Sequence, residues 1–330
     1  MTQLELLAPA KDFETGKAAI DSGADAVYIG APRFGARAAA GNSVESIKEL
    51  IKYAHFFGAK VHLTLNTILN DHELDDARNT IVELYEAGVD AVIIQDMALL
   101  EMDLPPVAIH ASTQTNNQTP EKVAFLEAVG MDRVILAREL TLDEIKEIKS
   151  KTSVDLEFFV HGALCVSYSG QCYLSQALVG RSANRGTCSQ PCRSAYNLID
   201  NNDETLYRDK QLLSLKDLNL SKRLGDLAEA GITSFKIEGR LKDIIYVKNV
   251  VAFYRKELDR VIESNDEYQK ASSGISKCSF VPDPDRSFNR GSMEHFVDGR
   301  TKNMSSFYTQ KSIGKFLGTV ISCDAKNVNI

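Results

Sequence analysis

Short β-rich runs alternate with stretches of helical periodicity from the N-terminus onward, and this alternation constrains the fold more than any other feature. Leu4–Ala8, Ala26–Gly30, Lys60–Asn66, Ala91–Gln95, Val107–Ala111, Arg133–Ala137, Leu156–Val160 and Ser234–Glu238 read as strands. Helices are expected over Asp12–Ser22, Val44–Phe57, Leu74–Ala87, Pro120–Val129, Leu142–Ser150, Asp217–Ala230 and Asp243–Ile262. Eight strands alternating with helices over about 260 residues point to an α/β fold, a TIM-like (β/α)8 barrel, whose usual size is about 250 residues. A doubly wound open sheet is the alternative, because alternation does not by itself reveal closure.

Barrel closure predicts where chemistry sits, since active sites of such barrels lie at the C-terminal ends of the strands. Asn66 ends the third strand, His110 and Gln114 lie at and after the fifth, and His161 follows the seventh. Lys236, Glu238 and Arg240 alternate along the eighth strand, which sets all three on one face. Ionisable groups on an inner face are costly unless paired or lining a site. A network that only fixes strand register is the competing reading.

The seventh strand delivers the chain into Glu157–Arg193, which holds four of the six cysteines, Cys165, Cys172, Cys188 and Cys192, spaced C-x6-C-x15-C-x3-C. No Asp or Glu occurs from Phe158 to Ile199, although acidic residues outnumber basic ones 45 to 38 over the chain. Arg181, Arg185, Arg193 and His161 share this window. Thiols among cationic and neutral groups are what a cluster carrying thiolate charge favours. Structural thiols are the bland alternative. Zinc is the other, though its structural sites usually contain close C-x2-4-C knuckles and the first pair here is six residues apart.

The same residues carry a family resemblance. E-F-F-V-H-G-A-L-C-V-S-Y-S-G-Q-C-Y-L-S, from Glu157 to Ser175, is similar to the signature of the peptidase U32 family. FGARAAAGN at Phe34–Asn42, LSLKDL at Leu213–Leu218 and FKIEGRLK at Phe235–Lys242 extend the likeness, and FNRG at Phe288–Gly291 resembles a short element found after the barrel. Despite the name, members with assigned roles include RNA and ubiquinone-pathway hydroxylases. The resemblance therefore implies a [4Fe-4S] cluster on the four cysteines. GRSANRGTCSQPCR most resembles the branch that hydroxylates a cytidine of 23S ribosomal RNA, a sister branch modifying a wobble uridine of tRNA. It also implies prephenate, a dicarboxylate, as co-substrate.

On that reading His161, Glu238 and Lys236 are the catalytic candidates, with His161 placed for proton transfer. Arg37, Arg185 and Arg240 are candidates for anion contacts, since guanidinium forks suit carboxylates. Asn66, His110 and Gln114 complete the expected substrate site. A collagenase-like peptidase is the runner-up; lacking H-E-x-x-H and G-x-S-x-G, it would need Cys165 as nucleophile with His161 or His110 as base. A noncatalytic RNA-binding module with structural zinc is a third class.

Composition adds bounds rather than identity. Net charge of −7 argues against a generally basic nucleic-acid coat, so RNA contact has to be local. Neither a signal peptide nor a membrane span is readable, and a cytoplasmic setting is expected. The barrel is expected to occupy residues 1–263, followed over 264–330 by a linker and the beginning of a small β-containing domain in which Lys315–Ile321 is a strand. Two terminal strands alone bury too little to be stable, so the expectation is a fragment of a longer protein. Cys278 and Cys323, far along the chain, are not expected to be ligands.

Overall fold

The computed structural model describes residues 1–35, 42–324 and 327–329. Its frame is a closed barrel. The strands before the cysteine segment are β1 (Thr2–Ala10), β2 (Ala26–Gly30), β3 (Lys60–Leu65), β4 (Ala91–Ile94), β5 (Ala108–Ala111), β6 (Arg133–Ile135) and β7 (Asp155–Gly162). After it come β8 (Tyr196–Ile199), β9 (Thr205–Lys210), β10 (Asp217–Asn219) and β11 (Ile232–Ile237). β1 to β7 pair in parallel in sequence order, and β11 closes the ring by pairing with both β7 and β1. Closure decides for the (β/α)8 barrel over the open sheet.

The helices form where the sequence supplies both an apolar stripe and a cap. Asp12 accepts from Thr15 N to open α1 (Phe13–Asp21), and Ser43 accepts from Ser46 N to open α2 (Val44–Phe56). α3 (Leu74–Glu86) buries Ala77, Ile81 and Leu84 on one face. α4 (Pro120–Ala128) starts with proline at its first position behind Thr119, and α5 (Leu142–Lys149) with a Thr141–Glu144 capping box. Only a 3-10 turn, Met97–Glu101, separates β4 from β5.

Between β7 and β11 the expected crossover helix is largely replaced. The cysteine segment contributes α6 (Leu174–Val179), the β8–β9 hairpin projects from the body, and β10 runs antiparallel to β7 before a short α7 (Leu224–Glu229). The helix expected over Asp217–Ala230 thus opens as a three-residue strand, in which Leu218 pairs with Gly162 and Asn219 with His161, and is helical only over Leu224–Glu229. α8 (Ile244–Glu263) then packs its Val247, Val250, Val251, Tyr254 and Leu258 face on the barrel.

The expected linker after residue 263 is instead docked for much of its length. β12 (Tyr268–Lys270) pairs with β1, and β13 (Ser292–Met293) pairs with β10. Val297 is buried and its carbonyl accepts from Leu142 N at 3.0 Å. Lys315–Ile321 is not a strand; the residues that pair are β14 (Ser322–Cys323) and β15 (Val328–Asn329). Among the described residues no helix is long and apolar enough to cross a membrane.

Charged and polar groups fill the lower barrel interior, where Val, Ile or Leu usually dominate. Glu5, His62, His110 and Glu157, one from each odd-numbered barrel strand up to β7, meet inside with Arg133 of β6 and Lys236 of β11. Arg133 Nη1 donates to Glu5 at 2.5 Å and to Glu157 at 3.3 Å, while Lys236 Nζ donates to Glu157 at 2.6 Å. Four charges cancel pairwise, which is what makes their burial tolerable.

Candidate active site at the barrel mouth

A cavity of about 620 Å³ opens above this network, on the C-terminal side of the strands. Its floor and barrel wall carry Tyr28, Thr64, Asn66, Ser112 and Phe159, together with Lys236, Glu238 and Arg240. The facing wall carries Cys165, Cys172, Cys188 and Cys192. Residues 163–193 are held in place by directed bonds rather than by a core. Arg193 is buried and gives one nitrogen to Ser214 Oγ and Leu215 O, at 3.0 and 2.6 Å, and another to Leu164 O at 2.7 Å. Arg138 donates to Ala163 O at 2.6 Å, and Glu139 accepts from Ser169 N and Oγ at 2.5 and 3.0 Å. At Gly170, with φ of +72°, an added Cβ would lie 2.0 Å from Gln114 O, so the segment seats there only because the position is glycine.

Lys236, Glu238, Arg240, Asn66 and Gln114 all line the cavity, as their places at strand ends predict. Lys236 is already committed to Glu157, and its ammonium sits 4.6 Å from the centroid of Tyr28 and 5.3 Å from that of Phe159. Burial lowers its pKa despite that partner. Arg240 is buried and donates to Thr64 Oγ1; Asn66 donates to Ser112 Oγ at 3.3 Å. Arg37 lies outside the described residues.

Three expected site residues lie elsewhere. His161 does not line the cavity: Phe159 pairs with Lys236 and His161 with Ile237, so β7 carries one extra residue there. That irregularity turns His161 out of the barrel. It packs instead on Tyr246 and Tyr254 of α8, with Nδ1 3.3 Å from Tyr254 Oη, and burial followed by Lys242 pushes its pKa down to about 3. His110 sits below the cavity, edge-on to His62 at 4.9 Å between ring centroids. Arg185 spends its fork on Glu73, at 2.6 and 2.8 Å, and a further bond on Ile68 O at 2.7 Å. It anchors the cysteine segment rather than facing the cavity.

Four cysteines opposite Lys236, Glu238 and Arg240 bring the cysteine signature, FKIEGRLK and FNRG to one cavity, and LSLKDL stands behind it, with Ser214 and Asp217 holding Arg193 and Arg290. Residues 11–306 match the model of Peptidase family U32. The chain belongs to that family.

It is 50% identical over 328 residues to the 23S rRNA 5-hydroxycytidine C2501 synthase of Escherichia coli, an alignment covering 99% of this chain and 50% of that protein. The tRNA hydroxylation protein P1 of Bacillus subtilis is 35% identical over 333 residues, covering 97% of this chain and 78% of its own length. A Porphyromonas gingivalis protein named collagenase is 33% identical over 316 residues, covering 91% and 75%. The chain thus spans half the length of the first of these U32 relatives.

The cavity also holds residues that strand-end reasoning misses. Phe288 and Arg290 come from the FNRG element, and Lys242 from the end of FKIEGRLK. Arg290 donates to Asp217 of β10 at 3.2 Å. Burial, reinforced by Arg290, brings Lys242 down to about 8. His295 lines the cavity as well; its buried Nδ1 has no hydrogen-bond partner, and burial followed by Arg138 lowers it to about 4. No motif marks His295. Carboxylates absent from the cysteine window in sequence reach the cavity from barrel loops, as Glu139 and Glu238.

No three of the four sulfurs lie within 4.8 Å of one another; among the described residues the close ligand trio is His62, His110 and Glu157. A dication in that trio would face Arg133 and Lys236, both already on Glu157, so it reads as a polar layer of the interior. The four thiols are a different case. They share one wall, with Arg138 and Arg193 beside them, and the loops around Cys165 desolvate its sulfur and push the thiol up to about 11. The donor set fits a thiolate-ligated group that supplies its own positive charge.

Proposed function

We propose that this chain is the catalytic part of an RNA hydroxylase acting at C5 of a pyrimidine, a cytidine of 23S ribosomal RNA in preference to a tRNA uridine, with an iron–sulfur cluster on Cys165, Cys172, Cys188 and Cys192. The observation that carries it is the four-cysteine wall on a cavity of nucleobase-accommodating size at the barrel mouth. The Escherichia coli relative's name and its 50% identity support the RNA class. The donor set supports the cluster: four thiols share one cavity wall, with Arg138 and Arg193 beside them to offset thiolate charge. When bound, the cluster supplies an electron-transfer or Lewis-acid centre at the cavity wall.

The remaining work falls to the chain's own side chains. A base inside a folded RNA has to leave its stack to enter a cavity at the barrel mouth. Arg240 and Lys242 offer positive charge to a dicarboxylate co-substrate such as prephenate. Glu238 is placed to hold or accept a proton at the bound base, and Lys242, near 8, is suited to the partner role at neutral pH. Lys236 holds the floor through Glu157.

The peptidase reading fares worse on geometry. A Cys165 nucleophile needs a histidine base and a depressed thiol, whereas His161 faces α8, His110 lies in the interior, His295 lines the cavity but is lowered to about 4 by burial and Arg138 and so is a weak base, and the thiol is raised. The test is anaerobic reconstitution with iron and sulfide, followed by visible absorption, iron analysis and assay of RNA hydroxylation. A brown protein with stoichiometric sulfide and oxygen insertion into RNA is expected. A colourless protein, or zinc held in its place, would overturn the cluster; hydrolysis of a peptide with no RNA product would overturn the reaction.

A further inference from the structure

A second recess, of about 450 Å³, lies on the other side of the cysteine segment. It shares Arg181, Cys188, Gln190, Arg193 and Arg290 with the large cavity, so the two adjoin at the cysteine loop, which acts as the partition between them. Its lining includes four cations, Arg181, Arg193, Arg290 and Lys311, and no carboxylate. In a chain with a net charge of −7 such a concentration is a local exception.

The four cations are not equivalent. Arg193 is consumed by Ser214, Leu215 and Leu164, and Arg290 by Asp217 and the Gln310 carbonyl. Both are buried and fixed; Arg193, bonded only to a hydroxyl and carbonyls, contributes field rather than contact, whereas Asp217 neutralises Arg290. Arg181 gives only its Nε to Thr187 O, at 2.9 Å, which aims the guanidinium without occupying its terminal nitrogens. Lys311 is exposed, and among the described residues neither it nor Arg181 forms an ion pair with a carboxylate. A polar, open recess backed by fixed positive charge and fronted by two available cations is complementary to a phosphodiester.

We propose that this recess holds a backbone phosphate of the RNA beside the target nucleotide, gripped by Arg181 and Lys311, while the extruded base enters the large cavity across the partition. The inference rests on the RNA reading above and adds to it where the strand runs. Phosphate contacts of this kind fix register without reading sequence. They also explain how an acidic protein holds RNA: the positive surface is confined to the rim of the site.

The test uses the full-length protein with its cluster reconstituted, and Arg181→Ala, Lys311→Ala and the double variant. Both side chains are exposed, so folding is not at stake, and Arg181→Lys serves as the charge-preserving control. At about 0.1 M salt the double variant is expected to bind the RNA about tenfold more weakly, and its logarithmic salt slope to fall by about 0.7, the value of one phosphate on a single strand. KM for RNA should rise by the same factor with kcat within about twofold, KM for the carboxylate co-substrate and iron content should not move, and Arg181→Lys should restore most of the affinity. Unchanged RNA affinity and salt slope in the double variant would overturn the recess while leaving the hydroxylase reading intact. A rise in co-substrate KM instead of RNA KM would reassign it to the carboxylate. Wild-type protein that neither binds nor hydroxylates RNA would overturn both proposals.

Discussion

The barrel interior below the cavity and the cysteine segment above it are both dense in ionisable groups, yet they dispose of charge in opposite ways. Below, Glu5, Glu157, Arg133 and Lys236 pair off at 2.5 to 3.3 Å, and even the two histidines are held neutral, His62 near 4 by burial. Above, Arg138 and Arg193 bind backbone carbonyls rather than carboxylates, and four thiols share a wall. Self-cancelling charge needs no ligand; charge left uncancelled does. The comparison assigns the lower network to stability and the upper segment to chemistry, and substitutions can break that division.

The largest effect is expected at the thiols. Replacing any one of Cys165, Cys172, Cys188 or Cys192 with alanine should abolish iron retention and RNA hydroxylation while shifting the thermal midpoint little, because the segment is fixed by Arg193, Arg138 and Glu139. A cysteine variant that unfolds the barrel would erase the distinction. Cys278 and Cys323, exposed and away from the cavity, serve as the silent controls. Glu157→Gln is the reciprocal case: it strands buried Lys236, leaves Arg133 to Glu5 alone, and should cost about 3–5 kcal/mol in urea unfolding.

Next come two tests that sharpen the boundary. Glu238→Gln should lower kcat by about 10²–10⁴-fold, the range for a lost acid–base group, at nearly unchanged stability. Full activity would move Glu238 to the structural side. The histidine layer makes a pH prediction: His62 has a folded pKa of about 4 against 6.5 unfolded, and His110 is lowered in the same sense. The unfolded chain binds more protons between those values, so stability is complete above pH 6.5 and is lost as pH falls toward 4. Each histidine contributes a slope of about 1.4 kcal/mol per pH unit there. His62→Gln should flatten the dependence, as read by thermal midpoints from pH 7.5 to 5.

The division also accounts for what could be read from sequence. Strand and helix periodicity is local, so the barrel and the strand-end positions of Asn66, Gln114, Lys236, Glu238 and Arg240 were legible, as was the grouping of the cysteines. His161 was not, since one extra residue in β7 flips every later side chain, and nothing in VHGA announces it. Asp217–Asn219 has helical spacing in sequence but finds a strand partner in β7, a tertiary choice over a local one. His295 and Arg290 reach the cavity from a segment that has little regular structure, where periodicity carries no signal. Arg185 is expected at a substrate anion, but its fork is taken by Glu73, 112 residues away in sequence, a pairing that no local pattern announces.

That pair yields the smallest expected effect and the finest test of the division. Arg185 joins the cysteine segment to the barrel through Glu73, whose carboxyl the guanidinium draws down to about 2. The bond is partly exposed, so solvent screening limits its worth to about 0.5–1 kcal/mol. Arg185→Ala should therefore leave global unfolding almost unchanged. Its loss frees one edge of the segment, including the Ile68 carbonyl contact, and should speed proteolytic nicking between residues 163 and 193 and hasten loss of iron in air. Faster nicking without a change in unfolding would show that the upper segment opens independently of the barrel. Parallel loss of both would show that the two regions fold as one unit.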